Sequence, residues 1–529
     1  MASCQKLFLI SLLFFLSCAG EKKEPTYDLI IYGGTIINGL GSPSFKGDLA
    51  IKGDRIAVIS SEGLDTSLAT NLINATGLIV SPGFVDLHTN VTVDLHEQPL
   101  AENFLRQGTT TILSSLHSGD QPYPIDTYAS ALEVAPNIGY FAGHSWARKQ
   151  VLGLENRTAT PEELDSMKYF VEQSMKQGAL GLSTGLEYVP ANYASEEEIV
   201  ELAKVAAKYN GVYFTHMRNE GREVLDAIRE SIAIGEKAKI PVEINHLKAA
   251  GRTQWGWSED MLSLLDSARQ AGIDITQDIY PYTAFSTYGA ILIPQWALAG
   301  GVDELRNRLN DPSTAQKIKA EMADLFMLDG GGEDLSRIQF RNFEYDPAFS
   351  GKTLKDYAIA QGLEPTLETG IDLLLELELQ GGFIGIFQAM NEEDIIRFIQ
   401  HPQTMFDSDA DLTIFGEGHP HPRCYGAFPH VLGRYVREKQ VISLEEAIKK
   451  MTSMPADKIK QPKRGRIQKE AFADLVIFNF EEIKDNSTYT DPHHYPSGIE
   501  HVMVNGKLVI KNGELTGNKP GQWLTGNLK

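Results

Sequence analysis

From residue 78 to residue 411, short apolar runs alternate with amphipathic helical segments, and that alternation leaves few folds open. Eight runs read as strands: LIVSPGFVDLHTN, TTTILSSLH, NIGYFAGHS, GALGLSTG, GVYFTHM, PVEINHLK, IDITQDIYPY and TMFDSDAD. Strand and helix repeated in this way mean parallel units joined by crossover helices. Eight such units predict a closed (β/α)8 TIM barrel, placed here at 81–464. The segment SEEEIVELAKVAAKYNG shows the helical grammar, with Ser195 and Glu198 as a capping box and Gly211 closing the helix. A long stretch, about 291–401, separates the seventh run from the eighth. It contains KIKAEMADLFM, GGGED and EEDIIRFIQ and reads as a mostly helical insertion able to cover a site.

The two ends follow a different grammar. YDLIIYGGTIINGLG and DLAIKGDRIAVIS near the start, and ADLVIFNF and HVMVNGKLVIKNGE near the end, are strands and hairpins, with Asn505-Gly506 a type I′ signal. Residues 27–80 and 465–525 are therefore expected to pair into one small β-domain.

A chain of 529 residues exceeds one ordinary core, which agrees with a large domain plus a small one. Its net charge of −22 repels phosphate backbones and anionic lipid surfaces and argues against nucleic acid as a partner. The first residues, MASCQKLFLISLLFFLSC, carry Lys6, an apolar run from Leu7 to Leu16, and then Ser17 and Cys18. This pattern predicts a lipoprotein-type signal peptide over 1–18, a linker over 19–26, and an exported protein held to the bacterial cell envelope through a lipid on Cys18. Cys4, Cys18 and Cys424 are the only cysteines, too few for a disulfide framework.

The chemistry collects at one end of the strands. His88, His117, His144, His216, His246 and Asp409 each stand at the C-terminal tip of a different run, the end where barrel enzymes build their sites. One such histidine would mean little, whereas six tips converging on one mouth describe a metal site. Imidazoles with a carboxylate suit Zn²⁺ with an open position for water, and Asp409 is the natural proton carrier for hydrolysis of an amide or related bond. Two rival motifs fail on context. GLSTG around Ser183 matches a nucleophile elbow but lacks the helix that must follow it, and the glycines at 330–332 lack the Lys-Ser or Lys-Thr of a phosphate loop.

Taken together, VSPGFVDLHT, QGTTT, GALGLSTGLEYVPANYAS, FTHMRNEG, NHLKAAG, DIYPYTAFST, HPHPRCYGAFPHVLGRYVRE and the closing ADLVIF with HVMVNGK resemble the amidohydrolase superfamily, and within it the D-aminoacylases, or N-acyl-D-amino-acid deacylases. The resemblance implies a metal-dependent barrel with a small β-sandwich built from both chain ends. It implies that His216 and His246 hold the tight metal, that Asp409 is the catalytic aspartate, and that Lys248, Tyr280, Ser286 and Arg423 hold the carboxylate of a small N-acyl amino acid. A guanidinium fork and an ammonium suit that role.

The chain departs from the family at Asn90, where histidine is usual, and at His117, where a bridging cysteine is usual. An imidazole donates one lone pair to one metal. Both changes predict a single zinc held by His117, His216 and His246, with His88 nearby. The alternatives are a related cyclic-amide hydrolase, of the hydantoinase or dihydropyrimidinase kind, a dipeptidase, and a catalytically degenerate surface-anchored binder.

Overall fold

Ile79–Pro82 runs antiparallel to Leu475–Phe478, with Ile79 opposite Phe478 and Pro82 opposite Leu475, so the two ends of the chain meet in one sheet. The computed structural model describes residues 25–92, 94–115 and 120–526. Among them, nine strands from both ends form this sheet. Its inward residues Leu29, Ile31, Leu49 and Ile51 pack with Leu475, Ile477 and Met503 into a core of their own, as a period of two allows. Asn505 and Gly506 both have positive φ, 46° and 76°, in the two-residue turn between Ile499–Val504 and Lys507–Lys511. Trp523–Leu524 leaves this sheet and pairs in parallel with Ile138 and Gly139 of the larger domain.

The eight apolar runs form the strands Phe84–Thr89, Thr109–Ser114, Asn137–Tyr140 continued by Ala142–Gly143, Gly181–Gly185, Val212–His216, Val242–Ile244, Ile275–Ile279 and Thr404–Phe406. Each lies parallel to its neighbours. The third strand is interrupted at Phe141; its first part pairs with the second strand and its last two residues pair with the fourth. The ring closes where Thr89 bridges Ala410 in parallel. There the Asp409 N–H donates to the His88 carbonyl (3.1 Å) and the Asn90 N–H to the Ala410 carbonyl (2.9 Å). The chain is thus a TIM barrel carrying a small β-domain.

Three local features differ from the sequence reading. Ser195 caps helix Glu196–Lys208 by accepting the Glu198 N–H, but the Glu198 carboxylate turns inward to His144 and Arg148 instead of completing a capping box. The insertion is mostly helical, as expected, but it also contributes two strands. Its helices, among them Val302–Leu309 and Leu367–Glu378, accompany an antiparallel sheet of Phe285–Tyr288, Ile384–Phe387 and Ile338–Asn342. Short apolar runs such as Ile384–Phe387 have no periodicity that separates strand from helix. Helix Glu392–Gln400, the EEDIIRFIQ segment, packs on the seventh and eighth strands and so belongs to the barrel's outer layer.

Candidate active site

A cavity of about 300 Å³ opens at the C-terminal mouth of the barrel, lined by His88, His216, His246, Lys248, Tyr280, Ser286, Asp409 and Arg423 among others. The barrel strands deliver most of these side chains from their ends, while Ser286 lies within strand Phe285–Tyr288 and Arg423 opens helix Arg423–His430. His216 ends the fifth strand, His246 and Lys248 follow the sixth, Tyr280 follows the seventh, and Asp409 lies three residues past the eighth.

At the centre, His216 Nδ1 and His246 Nε2 face each other at 3.0 Å. The outer nitrogen of each ring meets a carboxylate: His216 Nε2 lies 2.8 Å from Glu187 Oε2, and His246 Nδ1 lies 2.9 Å from Glu220 Oε1. An outer N–H that donates to a carboxylate leaves the inner nitrogen as a bare lone pair. On His246, Lys248 Nζ also lies 2.7 Å from Nδ1, and the two inner nitrogens of the pair are within hydrogen-bond distance of each other. Their spacing suits two ligands of one metal ion, since two zinc–nitrogen bonds at a tetrahedral angle hold their nitrogens about 3.3 Å apart. Burial, and then the Lys248 charge, hold the His246 pKa well below the usual value, which favours the neutral ring that a metal requires. Burial also opposes the charged form of His216, but Glu220 and Glu187 outweigh it and raise that pKa.

Two clusters bring candidate ligand atoms within 4.8 Å of one another: His88, His246 and Asp409, and His216, Glu220 and His246. Glu220 is better placed to orient than to ligate. Lys248 Nζ lies 2.7 Å from each of its oxygens, and His246 Nδ1 takes one of them as well. A carboxylate behind a ligating histidine fixes the tautomer and the angle of the ring.

Asp409 is gripped from several sides. Arg423 Nη1 lies 2.8 Å from Oδ2, Asn90 Nδ2 donates to Oδ1 (2.9 Å), and His88 Nε2 is 3.2 Å from Oδ1. Burial alone would raise the Asp409 pKa; Arg423, His246 and His88 overcome that and hold it well below the usual carboxylate range. Asp409 (φ 48°) and His246 (φ 37°) both sit in the left-handed region, a cost that persists only where surrounding bonds impose it. Those bonds are visible. Besides the barrel seam, the His246 N–H donates to Asp278 Oδ1, and Asp86 accepts both the N–H (3.0 Å) and the hydroxyl of Ser408. Burial pushes the Asp86 pKa up to about 7.

The residues expected to clamp a substrate carboxylate are brought together, but not equally free. Lys248 is spent on Glu220. Arg423 is 1% exposed and lies over the Tyr280 ring at 4.8 Å. Among the described residues, its Nε and the Ser286 Oγ are buried without a hydrogen-bond partner, and the Tyr280 hydroxyl meets the Met390 sulfur at 3.9 Å. These under-used donors line the same cavity.

His117 lies outside the described residues. His144 does not line the cavity; it opens helix His144–Leu152 and bonds Glu198 at 2.9 Å. Ser183 is buried inside the fourth strand, away from the cavity wall, and no helix starts behind it. Glu187 and Glu220 were missed by sequence reasoning. Their signal was position: Glu187 is two residues past the fourth strand, and Glu220 four past His216.

Residues 376–510 match the family model described as amidohydrolase family. Over an alignment of 529 residues the chain is 32% identical to a D-aminoacylase of Alcaligenes xylosoxydans xylosoxydans, covering 95% of this chain and 99% of the relative. Among solved structures it is similar to an N-acyl-D-glutamate deacylase from Bordetella bronchiseptica complexed with zinc and a phosphonate mimic of the tetrahedral intermediate. The TM-score there is 0.79 at 30% identity, with 94% of this chain and 99% of that one covered. A D-aminoacylase whose binuclear metal center is described by one-metal activation and second-metal attenuation aligns with a TM-score of 0.78 at 31% identity, covering 94% and 100%. With this identity over nearly its whole length, the chain belongs to the D-aminoacylase family of amidohydrolases.

Proposed function

We propose that the protein hydrolyses the amide bond of N-acyl-D-amino acids, giving a carboxylate and a free D-amino acid, with one zinc ion per chain. The observation that carries this reading is the 3.0 Å approach of two carboxylate-backed imidazoles beside an arginine-held aspartate. The relatives support the substrate class, since they are a D-aminoacylase and N-acyl-D-glutamate and N-acyl-D-aspartate deacylases.

His216 and His246 would hold the metal, with His117 as the expected third ligand and His88 beside them. When bound, the metal supplies Lewis acidity toward the amide carbonyl and toward water. The protein's own residues do the rest. Arg423 Nε, Ser286 Oγ and the Tyr280 hydroxyl receive the α-carboxylate and fix the amide above the imidazole pair. Asp409, ionised at rest, takes a proton from the attacking water and returns it to the departing nitrogen. The free amine then leaves without an unstable anion having formed. Glu187 and Glu220 keep the two rings turned inward, and Asn90 holds Asp409 in line.

Metal analysis of purified protein, followed by a screen of N-acetyl-D- and N-acetyl-L-amino acids, tests the reading. It expects close to one zinc per chain and turnover of D-substrates only; stoichiometric zinc with no turnover of any N-acyl acid would reject it. The reading extends to location through the leader. Cys18→Ala is expected to release the protein from the membrane fraction, measured by fractionation.

A further inference from the structure

Arg423, Ser286 and Tyr280 reach the cavity from three separate elements: helix Arg423–His430, strand Phe285–Tyr288 and the turn beyond the seventh barrel strand. Side chains that must meet one carboxylate from three directions need a common reference behind them. His421 stands in that place. It is fully buried, lies outside the cavity lining, and adjoins all three elements.

Its two ring nitrogens have different partners. Nδ1 accepts the Arg423 N–H (3.0 Å), one of the donors that a helix leaves free at its start. Nε2 lies 3.0 Å from the carbonyl of Ala284, two residues before Ser286, and donates to it. One nitrogen accepting and the other donating describes a neutral imidazole in a single tautomer. Burial, and then the Arg423 charge, hold the His421 pKa well below its usual value, in agreement with that form. The angle of the ring is set as well. Tyr282 and Tyr489 stand edge-on to it at 5.3 Å and 5.2 Å, and the Tyr280 ring is 6.3 Å away. Both edge-on rings are anchored in turn: the Tyr282 hydroxyl donates to Asp485 (2.8 Å), and the Tyr489 carbonyl accepts from Gln339 (2.8 Å) and lies 2.7 Å from His419 Nε2. Arg423 commits Nη1 to Asp409 and Nη2 to the Ser286 carbonyl (3.4 Å), so the direction of its Nε depends on the spacing between helix start and strand.

We infer that His421 is a positioning residue for substrate binding. By bridging the Arg423 N–H and the Ala284 carbonyl, it sets the spacing at which Arg423, Ser286 and Tyr280 receive one carboxylate. The inference rests on the deacylase reading above and adds to it a residue that never meets the substrate.

The test uses zinc-loaded full-length protein and two substrates: the N-acetyl-D-amino acid hydrolysed fastest in the screen above, and its carboxamide, which differs only in lacking the charge. The parent is expected to favour the acid by about tenfold or more in kcat/KM. His421→Asn keeps an acceptor for the Arg423 N–H but cannot reach Ala284. It should lower the acid-to-amide ratio of kcat/KM by about 10- to 100-fold, through KM for the acid, with kcat little changed. His421→Gln carries an amide nitrogen about as far from the backbone as Nε2 and should return the ratio close to the parent's. Thermal midpoints verify folding.

A loss in His421→Asn shared equally by acid and amide would show a merely structural role and overturn the inference. An unchanged ratio there, or His421→Gln no better than His421→Asn, would overturn it too, as would a parent that treats acid and amide alike. Each of these leaves the deacylase reading standing. Should His421→Asn not fold, Tyr489→Leu decides: it removes an edge-on ring and keeps both His421 hydrogen bonds. A ratio lowered about threefold supports the inference, and an unchanged one overturns it. A parent that hydrolyses no N-acetyl-D-amino acid would remove the deacylase reading and this inference together.

Discussion

Asp409, proposed as the base, sits in a buried, conformationally costly position, and its neighbours explain how it stays ionised. Arg423 neutralises one oxygen, Asn90 and His88 engage the other, and the strand seam sets its backbone. Asp409→Asn keeps the shape and removes the proton acceptor. It is expected to lower kcat by about 10²- to 10⁴-fold. On the proposed ligand set the histidines hold the metal without Asp409, so zinc content measured on the purified variant should stay close to that of the parent. Glu187→Gln makes the complementary change, weakening the grip on the outer nitrogen of His216 while leaving Asp409 alone. Affinity for zinc, read by chelator competition, should fall about 10- to 100-fold, as for other carboxylates behind a ligating histidine. Asn90 shows how a residue can depart from a family pattern and still be used: its amide meets Asp409 where a ring nitrogen was expected.

The barrel strands were legible because each is a short apolar run with a distinct end, and side chains at those ends face one mouth whatever the helices do. Hence His88, His216, His246 and Asp409 could be gathered from the sequence alone. Glu187 and Glu220 were not, because their roles depend on loop paths beyond the strand tips, and no period encodes a loop. The sheet in the insertion was missed for a related reason: its strands are too short to show alternation. One strand feature invites a test. A Cβ at Gly181 would lie 1.9 Å from the Val212 carbonyl oxygen, in the parallel pairing of the fourth and fifth strands. Gly181→Ala must push that pairing apart. The expected cost is about 1–3 kcal/mol or more, read as a lower thermal midpoint at fixed scan rate together with lost activity, since His216 ends the displaced strand.

On the scale of the whole molecule, the two domains are joined by a buried polar knot. Arg464 pairs with Asp474 and donates to Asn505 Oδ1 (2.9 Å), while the Asn137 side chain, at the start of the third barrel strand, receives Asn505 Nδ2 (2.7 Å) and donates to Asp474 (3.2 Å). Removing one partner of a buried ion pair leaves the other charge uncompensated. Arg464→Met is thus expected to destabilise the protein by about 3–5 kcal/mol. It should leave zinc affinity at low temperature unchanged, because the knot lies at the strands' opposite end from the ligands. Denaturant unfolding followed beside chelator competition separates the two effects. The barrel seam has the reverse character. Asp409, the proposed proton carrier, also fastens the last strand to the first, so on that proposal the circle of strands cannot loosen there without spoiling chemistry. Catalytic output therefore doubles as a gauge of ring closure, and the enzyme should fall silent on warming before its outer helices let go.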